Sequence, residues 1–433
     1  MDGTLENGMG IREENFKRSL SHPCFNGCGG KNTRTHLPVA PDCNIRCNYC
    51  VRKFECVNES RPGVTAKVLS PQEALERFIA VKERLGKIDV VGIAGPGDAL
   101  ANFEKVKECF ALIRGDDNEV TFCLSTNGLL LPRYAAEIAA MGVSHVTVTV
   151  NALDPVMGKR IYRHVEFDGT RYQGAEGAAL LLENQYEGIG RLRDLGIVCK
   201  VNIVMLKDIN DTKIPEIVEK LKKSGADLSN IMQLIPVKGS VFEHIPLVSN
   251  AEITAMRKSC EAILPQMYHC RQCRSDAAGT LDEDISLELT QKPCEAKLPE
   301  HSAGARSPQA EDRKHGFFAV ASKNGMIVDQ HFGHAKEFYI YEYSDGEVHL
   351  VEKRDVPLYC FGPQHCEGGL TVPAIDRKDA MDAILEILEG CSGVIAMRIG
   401  DTPRNRLTEK GIEVFTTYNY IADAVREAAE RRD

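Results

Sequence analysis

Between residues 68 and 240, short apolar runs alternate along the chain with amphipathic segments. The apolar runs predict five strands, which lie within 88–98, 119–128, 145–152, 197–206 and 230–237. The amphipathic segments predict five helices, near 70–85, 103–115, 132–141, 175–195 and 213–224. Strands that are separated by helices pair in parallel, because a parallel connection needs a crossover of helical length.

The first predicted helix carries a recognisable start signal. Ser70 suits the N-cap, Pro71 suits the first helical position, and Glu73 completes a capping box. A further strand near Leu37–Pro41 brings the number of β/α units to about six. Eight such units close a barrel, so we expect an α/β fold built on a partial (β/α)6 barrel.

The pattern changes after Cys294. Residues 295–314 are polar, lack periodicity and contain Pro, Gly and Ser, which is typical of a linker. From His315 a new pattern predicts a hairpin over 316–328 and a second hairpin that turns at Asp345–Gly346. We therefore expect four parts: an N-terminal segment, the barrel, a linker and a smaller α/β domain, at 1–34, 35–294, 295–314 and 315–433.

Composition narrows the possible functions. The chain has 433 residues, 43% of them hydrophobic, which is enough for two or three domains with sizeable cores. A formal net charge of -9 without a basic stripe argues against nucleic acid or a membrane surface as a partner. A polar N-terminus and the lack of an apolar run of about 18 residues predict neither a secretion signal nor a membrane span. We therefore expect a cytoplasmic protein.

Sixteen cysteines in a reducing compartment are not expected to form disulfides. Six of them lie between Cys24 and Cys56, and two more form the pair Cys270 and Cys273. Because these segments lack a core-forming pattern, their cysteines are candidate metal ligands. Three others lie in periodic segments and are expected to be ordinary buried thiols: Cys109, Cys199 and Cys260.

Cys43, Cys47 and Cys50 supply three thiolates on one loop, with the spacing C-x3-C-x2-C. A structural zinc ion needs a fourth ligand and usually takes its cysteines in pairs. A [4Fe–4S] cluster held by three thiolates instead keeps one iron open to a small molecule. The loop also follows a predicted strand, at the end where α/β barrels place their chemistry.

With the aromatic residue Tyr49 before its last cysteine, this motif resembles that of the radical S-adenosylmethionine (SAM) superfamily. The resemblance implies that SAM binds the open iron and is cleaved by one electron to methionine and a 5′-deoxyadenosyl radical, which makes the three cysteines catalytic. It also implies a set of cofactor-binding residues: Tyr49, Gly95, Gly97, Thr149, Asn151, Val201 and Asn202. Without the cysteine motif, the glycine-rich stretch 92–98 is equally well a plain strand-to-helix turn.

The chain holds more candidate ligands than this superfamily needs. Seven remain: His22, Cys24, Cys28, Cys56, Cys123, Cys270 and Cys273. They would suit two further [4Fe–4S] clusters with four and three protein ligands. Thiolates and imidazole bind the iron of such clusters better than they bind magnesium or calcium. Two of them have another interpretation: Cys123 lies in a core strand, and a lone histidine such as His22 is typical of the surface.

Many segments together closely resemble the radical SAM family that makes the precursor of the nitrogenase cofactor. The match covers about residues 20–290 and runs through "HPCFN", "CNIRCNYC", "ECVNESRPGV", "GIAGPGDAL", "LSTNGL", "VTVNALDP", "LIPVKG" and "CRQCRSDAAG". The resemblance implies that two [4Fe–4S] clusters are fused into an eight-iron cluster. The fusion would take up a carbide from a SAM methyl group and a ninth sulfide from sulfite.

A scaffold of this kind must hold two clusters firmly and yet release the product, so we expect two unequal ligand groups. One group is expected to hold its cluster with three ligands, Cys24, Cys270 and Cys273. The other is expected to use His22, Cys28, Cys56 and Cys123. Glu59 is expected to move protons or to contact the cofactor, and a solvated charge beside a turn is the alternative.

The C-terminal part resembles the NifX-type family, small proteins that bind nitrogenase cofactor precursors, through "MIVDQHFGHAKEFYIYE" and "YCFGPQHCEGG". The resemblance implies an RNase H-like fold and a storage or handover role. Its candidate ligands are His331, His334, Cys360 and Cys366, although loop histidines are usually surface residues. The implied partners are an iron–sulfur scaffold donor, a ferredoxin-like electron donor, and the maturation complex NifEN or a NifX-type carrier as acceptor.

Two other classes of function stay open. A different radical SAM enzyme with auxiliary clusters would modify a peptide or a small molecule. Its auxiliary cysteines would usually lie C-terminal to the main motif, whereas here three candidate ligands precede that motif. A non-catalytic iron–sulfur carrier would not need an open iron, so replacing Cys50 with alanine should leave its delivery activity intact.

Overall fold

A computed structural model of the chain describes residues 2–25, 32–52, 56, 67–270, 273–281, 283–286, 289, 315–323, 325, 327–344, 346–359 and 377–431. These residues form two compact units. One lies within Met1–Ile235 and Gly239–Lys292, and the other within Pro236–Lys238 and Pro293–Asp433. In this part of the chain, no helix is both long enough and apolar enough to cross a membrane.

The first unit contains a large sheet, a small side sheet and helices. The strands are β1 (Arg34–His36), β2 (Ile45–Cys47), β3 (Val90–Ile93), β4 (Thr121–Thr126), β5 (Val143–Thr149), β6 (Tyr162–Phe167), β7 (Thr170–Gln173), β8 (Val198–Met205), β9 (Leu228–Gln233) and β10 (Ala278–Gly279). The helices are α1 (Asp2–Ser19), α2 (Pro71–Leu85), α3 (Phe103–Asp116), α4 (Leu131–Ala140), α5 (Pro155–Ile161), α6 (Gly174–Asp194), α7 (Ile214–Ser224) and α8 (Asn250–Glu261).

The large sheet has the strand order β10-β1-β3-β4-β5-β8-β9. In its described part, six neighbouring strands run parallel, and β10 pairs antiparallel with β1. The expected partial (β/α)6 barrel is thereby confirmed. Strands β5 and β8 are buried along their whole length, because parallel sheets are covered on both faces. This burial explains why such strands are apolar runs in the sequence.

Most predicted elements lie within a few residues of the observed ones. The predicted capping box forms, since the Glu73 backbone N–H donates to Ser70 Oγ at 3.3 Å and the Ser70 N–H donates to the Glu73 carboxylate at 2.8 Å. The first strand is an exception, because it lies at Arg34–His36 and not at Leu37–Pro41. The predicted stretch contains two prolines, which cannot donate to a strand ladder.

Two features of the first unit were not predicted. Helix α1 is polar, yet it is bound to the sheet: Asn15 Nδ2 donates to the Gly196 carbonyl at 3.0 Å, and Ser19 Oγ lies 2.8 Å from His145 Nε2. The second is the antiparallel side sheet β2-β6-β7. Together these features place the N-terminal segment beside the sheet and support the cysteine loop.

The second unit contains a five-stranded sheet with the order β13-β12-β11-β14-β15. Its elements are β11 (His315–Val320), β12 (Glu337–Ser344), β13 (Glu347–Asp355), α9 (Arg377–Ile387), β14 (Gly393–Ala396), α10 (Asp401–Glu409), β15 (Glu413–Thr416) and α11 (Ile421–Glu430). The predicted hairpin around Gly346 is confirmed as β12–β13. The hairpin predicted over 316–328 is wrong, because β11 pairs with β12 and β14, while Ile327 bridges to Tyr420.

Helices α4 and α6 pack closely at Gly188, where a side chain has no room. A Cβ on Gly188 would lie 2.3 Å from Leu131 Cβ, whereas a Cβ on Gly190 would come no closer than 3.7 Å to its nearest neighbour. Gly188→Ala should therefore lower the free energy of unfolding by about 1–3 kcal/mol. Gly190→Ala should raise it by about 0.5–1 kcal/mol through helix propensity. Urea unfolding of both variants measures the difference, and equal stabilities would contradict this packing.

Candidate iron–sulfur site

Cys43, Cys47 and Cys50 line one pocket, which we call the upper pocket. Its lining also includes Gly97, which follows β3, and Asn127, which follows β4. Both of these positions come directly after the carboxyl ends of parallel strands. The upper pocket therefore lies at the edge of the sheet where α/β folds place their active sites.

The cysteine loop is held in place by the side sheet. Strand β2, which contains Cys47, pairs antiparallel with β6. The Asn48 N–H donates to the Ile161 carbonyl at 2.8 Å, and the Glu166 N–H donates to the Asn44 carbonyl at 2.8 Å. Main-chain hydrogen bonds of the protein alone therefore fix the path of the loop.

The glycine-rich turn after β3 binds the start of this loop through its backbone. The Gly97 N–H donates to the Ala40 carbonyl at 2.6 Å, and the Asp98 N–H donates to the Asp42 carbonyl at 2.7 Å. A Cβ on Gly97 would lie 2.2 Å from the Asp42 carbonyl oxygen, so only glycine fits. Gly95 has a φ of +131°, which also favours glycine. The turn thus approaches the loop more closely than a side chain would permit.

Two polar residues that the sequence analysis did not single out stabilise this edge of the sheet. The buried Asp98 carboxylate accepts hydrogen bonds from the Asn127 N–H at 2.6 Å and the Thr126 hydroxyl at 3.0 Å. Burial raises the pKa of Asp98, whereas these hydrogen bonds lower that pKa. Asn127 Nδ2 donates to Asn44 Oδ1 at 2.6 Å and lies 3.9 Å from Cys43 Sγ. The available sequence signal was a run of polar residues, "STNG", at the end of an apolar strand.

Strand alternation decides which predicted cofactor residues face the inner side of the sheet, which we call the bore. Phe122 packs on Phe110 of α3, with ring centroids 4.3 Å apart, so alternate residues of β4 face the bore. On β5 and β8, Thr149 and Asn202 pair in register on the bore side. Val201 precedes Asn202, so its side chain lies on the helix side and only its backbone is available to a cofactor.

Tyr49 and Asn151 lie fully buried beside the upper pocket. Asn151 Nδ2 donates to the Tyr49 hydroxyl at 2.8 Å, while Asn151 Oδ1 accepts from the Val204 N–H at 2.8 Å. This pair of hydrogen bonds ties the cysteine loop to the carboxyl ends of β5 and β8. The Tyr49 side chain is thus used for structure, which leaves its backbone for the predicted contact with SAM.

A second set of predicted ligands lies lower in the bore, towards the amino ends of the strands. Cys123 is the third residue of β4, and its Sγ would lie 3.0 Å from a Cβ on Gly92 of β3. Burial raises the pKa of Cys123, and the neighbouring Cys24 raises it further. His145 pairs in register with Cys123 and lies against His22, with ring centroids 4.7 Å apart. Residues from the N-terminal segment and from the barrel therefore meet here.

The pair Cys270 and Cys273 joins this group from the C-terminal side of the unit. Burial raises the pKa of Cys24, and the thiols of Cys273 and Cys270 raise it further. Arg34 donates to Cys273 Sγ at 3.1 Å. His269 Nε2 donates to the carbonyl of the residue before Cys24 at 3.0 Å. We call these five residues the lower ligand group: His22, Cys24, Cys123, Cys270 and Cys273.

His22 has a buried ring nitrogen without a hydrogen-bond partner among the described residues. Its Nδ1 accepts from the Cys24 N–H at 3.1 Å, and its Nε2 has no hydrogen-bond partner within the described part of the chain. Burial, followed by His145 and Lys200, holds the pKa of His22 well below its usual value, so the imidazole is neutral. Neutral imidazole is the form that binds metals, and iron binding at Nε2 would require the proton on that nitrogen to leave.

The structure adds His36 to the candidate ligands. Its Nδ1 donates to the Arg274 carbonyl at 3.0 Å, which leaves the lone pair of Nε2 available. A Cβ on Gly92 would lie 3.0 Å from both the His36 ring and Cys123 Sγ, so the two side chains flank the same point. Metal-bound histidines are commonly oriented by such a carbonyl. The sequence offered only a weak signal, a histidine just before the apolar stretch 37–40.

The donor atoms of the upper pocket and those of the lower ligand group both suit iron–sulfur clusters. Each thiolate of a cluster binds a different iron, so the ligands need not converge on one point. Accordingly, no three His, Cys, Asp or Glu groups of the described residues converge as the ligands of a single metal ion. Burial raises the pKa of Cys43 to about 12, so its thiolate form needs a bound cation such as iron.

Of the three predicted site residues that remain, one lies at the upper pocket and two lie outside the described residues. Cys56 lines the upper pocket, where its N–H donates to the Pro96 carbonyl at 3.0 Å, and it is therefore separate from His22 and Cys123 in this structure. Cys28 and Glu59 lie outside the described residues.

In the second unit, His331 and His334 lie together, with ring centroids 4.9 Å apart. His331 Nδ1 accepts from the Gly333 N–H at 3.0 Å. Burial, followed by His334 and Arg398, lowers the pKa of His331 to about 4, so its ring is neutral near pH 7. The other two candidate ligands of this unit, Cys360 and Cys366, lie outside the described residues.

Comparison with known proteins identifies the family. Residues 37–221 match the Radical SAM superfamily, and residues 316–431 match the family described as Dinitrogenase iron-molybdenum cofactor. The FeMo cofactor biosynthesis protein NifB of Klebsiella pneumoniae is 41% identical over 92% of this chain and 87% of its own length. The chain belongs to the NifB family. NifB proteins of Frankia alni and Chlorobaculum tepidum are 38% and 37% identical, over 96% and 94% of this chain and 88% and 91% of their own.

Membership of the NifB family makes this chain a radical SAM enzyme, for which the superfamily implies a [4Fe–4S] cluster and SAM. Solved structures add only distant likenesses. Native anSMEcpe with bound AdoMet is 14% identical over 54% of this chain and 63% of its own, with a TM-score of 0.38. Methylornithine synthase (PylB) is 13% identical over 61% and 74%, with a TM-score of 0.37. Likenesses at this level carry no argument.

Gly97→Ala should displace the cysteine loop, because its Cβ would overlap the Asp42 carbonyl oxygen. We expect loss of the upper-pocket iron and a fall of about 100-fold or more in 5′-deoxyadenosine formation. Gly115→Ala is the matched control, since a Cβ there meets nothing within 4 Å. Iron content and product formation by both variants provide the measurement. A Gly97→Ala enzyme with full iron and normal turnover would show that this contact is not required.

His36→Ala should weaken iron binding by the lower ligand group at least about tenfold, because it removes an oriented imidazole. His145→Ala is the control, since both of its ring nitrogens already lie 2.8 Å from serine hydroxyls. Iron retained after equal exposure to a chelator distinguishes the two variants. Equal losses would mean that His36 acts only through packing.

Proposed function

We propose that this chain builds the eight-iron precursor of the nitrogenase cofactor. Its substrates would be two [4Fe–4S] clusters, which are fused with a carbon from a SAM methyl group and one added sulfur. Membership of the NifB family, whose curated relatives are FeMo cofactor biosynthesis proteins, supports this proposal. The observation that carries it is the presence of two groups of sulfur ligands along one bore.

The separation of the two groups along the bore suits a transfer between them. Asn127 of the upper pocket and Cys123 of the lower ligand group are four residues apart along β4. At about 3.3 Å per residue, the two residues lie about 13 Å apart along the strand axis. Positions 123, 125 and 127 share one face of the strand. A group that leaves the upper pocket would therefore reach the lower ligand group without crossing the sheet.

When bound at the upper pocket, SAM would supply a methyl group and a 5′-deoxyadenosyl radical. The residues of the chain orient the reactants and exclude water. Thr149 and Asn202 are buried on the bore side and would fix the cofactor between the two levels. Tyr49 and Asn151 are fully buried and would close the upper side of the bore. A buried site protects reactive intermediates from side reactions with solvent.

We further propose that Cys24, Cys270 and Cys273 hold one substrate cluster. The thiols of Cys273 and Cys270 both raise the pKa of Cys24, which supports this grouping. The second substrate cluster would take ligands from His22, Cys28 and Cys123, with His36 as an additional candidate, whereas Cys56 lines the upper pocket. A three-ligand site leaves one iron accessible, and an imidazole dissociates more readily than a thiolate, so the product can leave. Glu59 keeps its predicted role of moving protons or contacting the cofactor.

The second unit would store the product or hand it over. The family match over residues 316–431 and the paired His331 and His334 support this role. The acceptor would be NifEN or a NifX-type carrier, and the donors an iron–sulfur scaffold and a ferredoxin-like protein. A domain on the same chain raises the local concentration of an acceptor and so favours transfer.

The test uses anaerobically reconstituted full-length protein of known iron content, with SAM and dithionite. We expect both 5′-deoxyadenosine and S-adenosylhomocysteine, because the reaction combines radical formation with methyl transfer. Cys50→Ala should form neither product. The triple variant C24A/C270A/C273A should keep 5′-deoxyadenosine formation and lose S-adenosylhomocysteine, because the methyl acceptor is a substrate cluster.

Two outcomes would reject the proposal. Fully loaded wild-type protein that forms 5′-deoxyadenosine alone would be a radical SAM enzyme that does not build the precursor. A Cys50→Ala protein that still delivers precursor to an acceptor would be a carrier.

A further inference from the structure

Lys200 places an ammonium group in the wall of the bore. It is the third residue of β8, pairs in register with Thr147 and Leu228, and is only 6% exposed. Its Nζ lies 5.3 Å from the centroid of the Phe25 ring. Lys200 precedes Asn202 by two residues and therefore shares its face. The backbone of Lys200 thus lies at a level between the upper pocket and the lower ligand group, and its ammonium lies beside Phe25, the residue after Cys24.

Within the described part of the chain, the Lys200 ammonium has neither an ion pair with a carboxylate nor a hydrogen bond. The other buried cations of this unit are compensated. Arg34 donates to the Gly279 carbonyl at 3.0 Å and to Cys273 Sγ at 3.1 Å, and Arg274 forms a bidentate pair with Asp276. The ring of Phe25 offsets only part of the lost hydration of a buried charge. Lys200 is therefore a buried cation that has no counter-charge among the described residues.

Lys200 acts on three members of the lower ligand group and on the imidazoles of His36 and His145. Burial raises the pKa of Cys24 and of Cys123, whereas the Lys200 ammonium lowers the pKa of each thiol. Burial lowers the pKa of His22, and Lys200 lowers it further. The ammonium therefore faces the thiols and the imidazole that are proposed to hold a cluster.

An iron–sulfur cluster of this kind would supply the missing counter-charge. The charges of three thiolates outweigh the 2+ charge of an oxidised four-iron core, and reduction makes the assembly more negative. Removing one partner from a buried pair of opposite charges is strongly unfavourable. The charge of Lys200 and the charge of a cluster would thus compensate each other.

We propose that the Lys200 ammonium is the counter-cation of the anionic cluster held by Cys24, Cys270 and Cys273 of the lower ligand group. It retains that cluster in the bore and favours its reduced form. This inference rests on the proposed function in one respect, namely that a cluster binds at the lower ligand group. Lys200 is a positioning residue here, since the iron ligands are the thiols and imidazoles.

The test compares Lys200→Met with wild type in the full-length, iron-loaded protein. Methionine keeps most of the length of the side chain and removes its charge. Iron should leave the auxiliary clusters of the variant about tenfold faster in the presence of EDTA. The reduction potential of the auxiliary clusters should become more negative. These clusters are recognised by spectral signals that do not shift when SAM is added. The cluster of the upper pocket should keep its iron and its SAM-induced spectral shift.

Lys220→Met is the matched control. Lys220 Nζ also lies over an aromatic ring, 4.1 Å from the centroid of Tyr186, but it is exposed and donates to the Leu153 carbonyl. This variant should lose auxiliary iron at the wild-type rate. Lys200→Arg keeps the charge and should stay close to wild type in both iron retention and potential.

Stability of the iron-free protein separates charge compensation from a structural role. Because Lys200 has no counter-charge among the described residues when the cluster is absent, iron-free Lys200→Met should unfold at the wild-type temperature or above it. A lowered unfolding temperature of the iron-free variant, or unchanged iron loss and potential of the loaded variant, would overturn the proposal. If wild-type protein binds iron only at the upper pocket, the proposed function fails first, and this inference fails with it.

Discussion

The backbone contact between the glycine-rich turn after β3 and residues 40–42 is the constraint on which the site depends. The N–H groups of Gly97 and Asp98 donate to the carbonyls of Ala40 and Asp42, and Gly97 has no room for a side chain. This contact holds the three cysteines at the carboxyl ends of the central strands. The side sheet β2-β6-β7 fixes the loop from the other side. The thiols are therefore positioned by the backbone, whose geometry varies less than that of side chains.

The alternation of side chains along parallel strands gives the sheet two different faces. One face packs on helices, as Phe122 does on Phe110. The other face presents thiols, imidazoles, amides and an ammonium group to the bore; the imidazoles, the amides and the ammonium are buried, whereas the thiols are half-buried. Beside this face, buried polar groups such as His22 Nε2 have no hydrogen-bond partner among the described residues. These groups are the ones that a soft, anionic ligand can bind.

Periodic elements were predictable because each is defined by its own residues. The helix that begins at Ser70 and the buried strands of the barrel follow local rules of capping and hydrophobic spacing. Elements that depend on distant partners were missed or misplaced. Helix α1 has little apolar periodicity and is bound through polar contacts such as Asn15 to Gly196. Strand β11 takes distant partners, so its expected local hairpin does not form.

The sequence by itself determined the chemistry: three thiols at C-x3-C-x2-C spacing, a surplus of soft ligands, and strands in the number of a partial barrel. It did not determine which ligands would meet. Cys24, Cys123 and Cys273 are far apart in the chain and become neighbours only when the N-terminal segment and the C-terminal loop reach the same bore. The roles of His36 and Lys200 emerged in the same way. Residue type and spacing are local properties of the chain, whereas burial, register and proximity arise only when the whole sheet has formed.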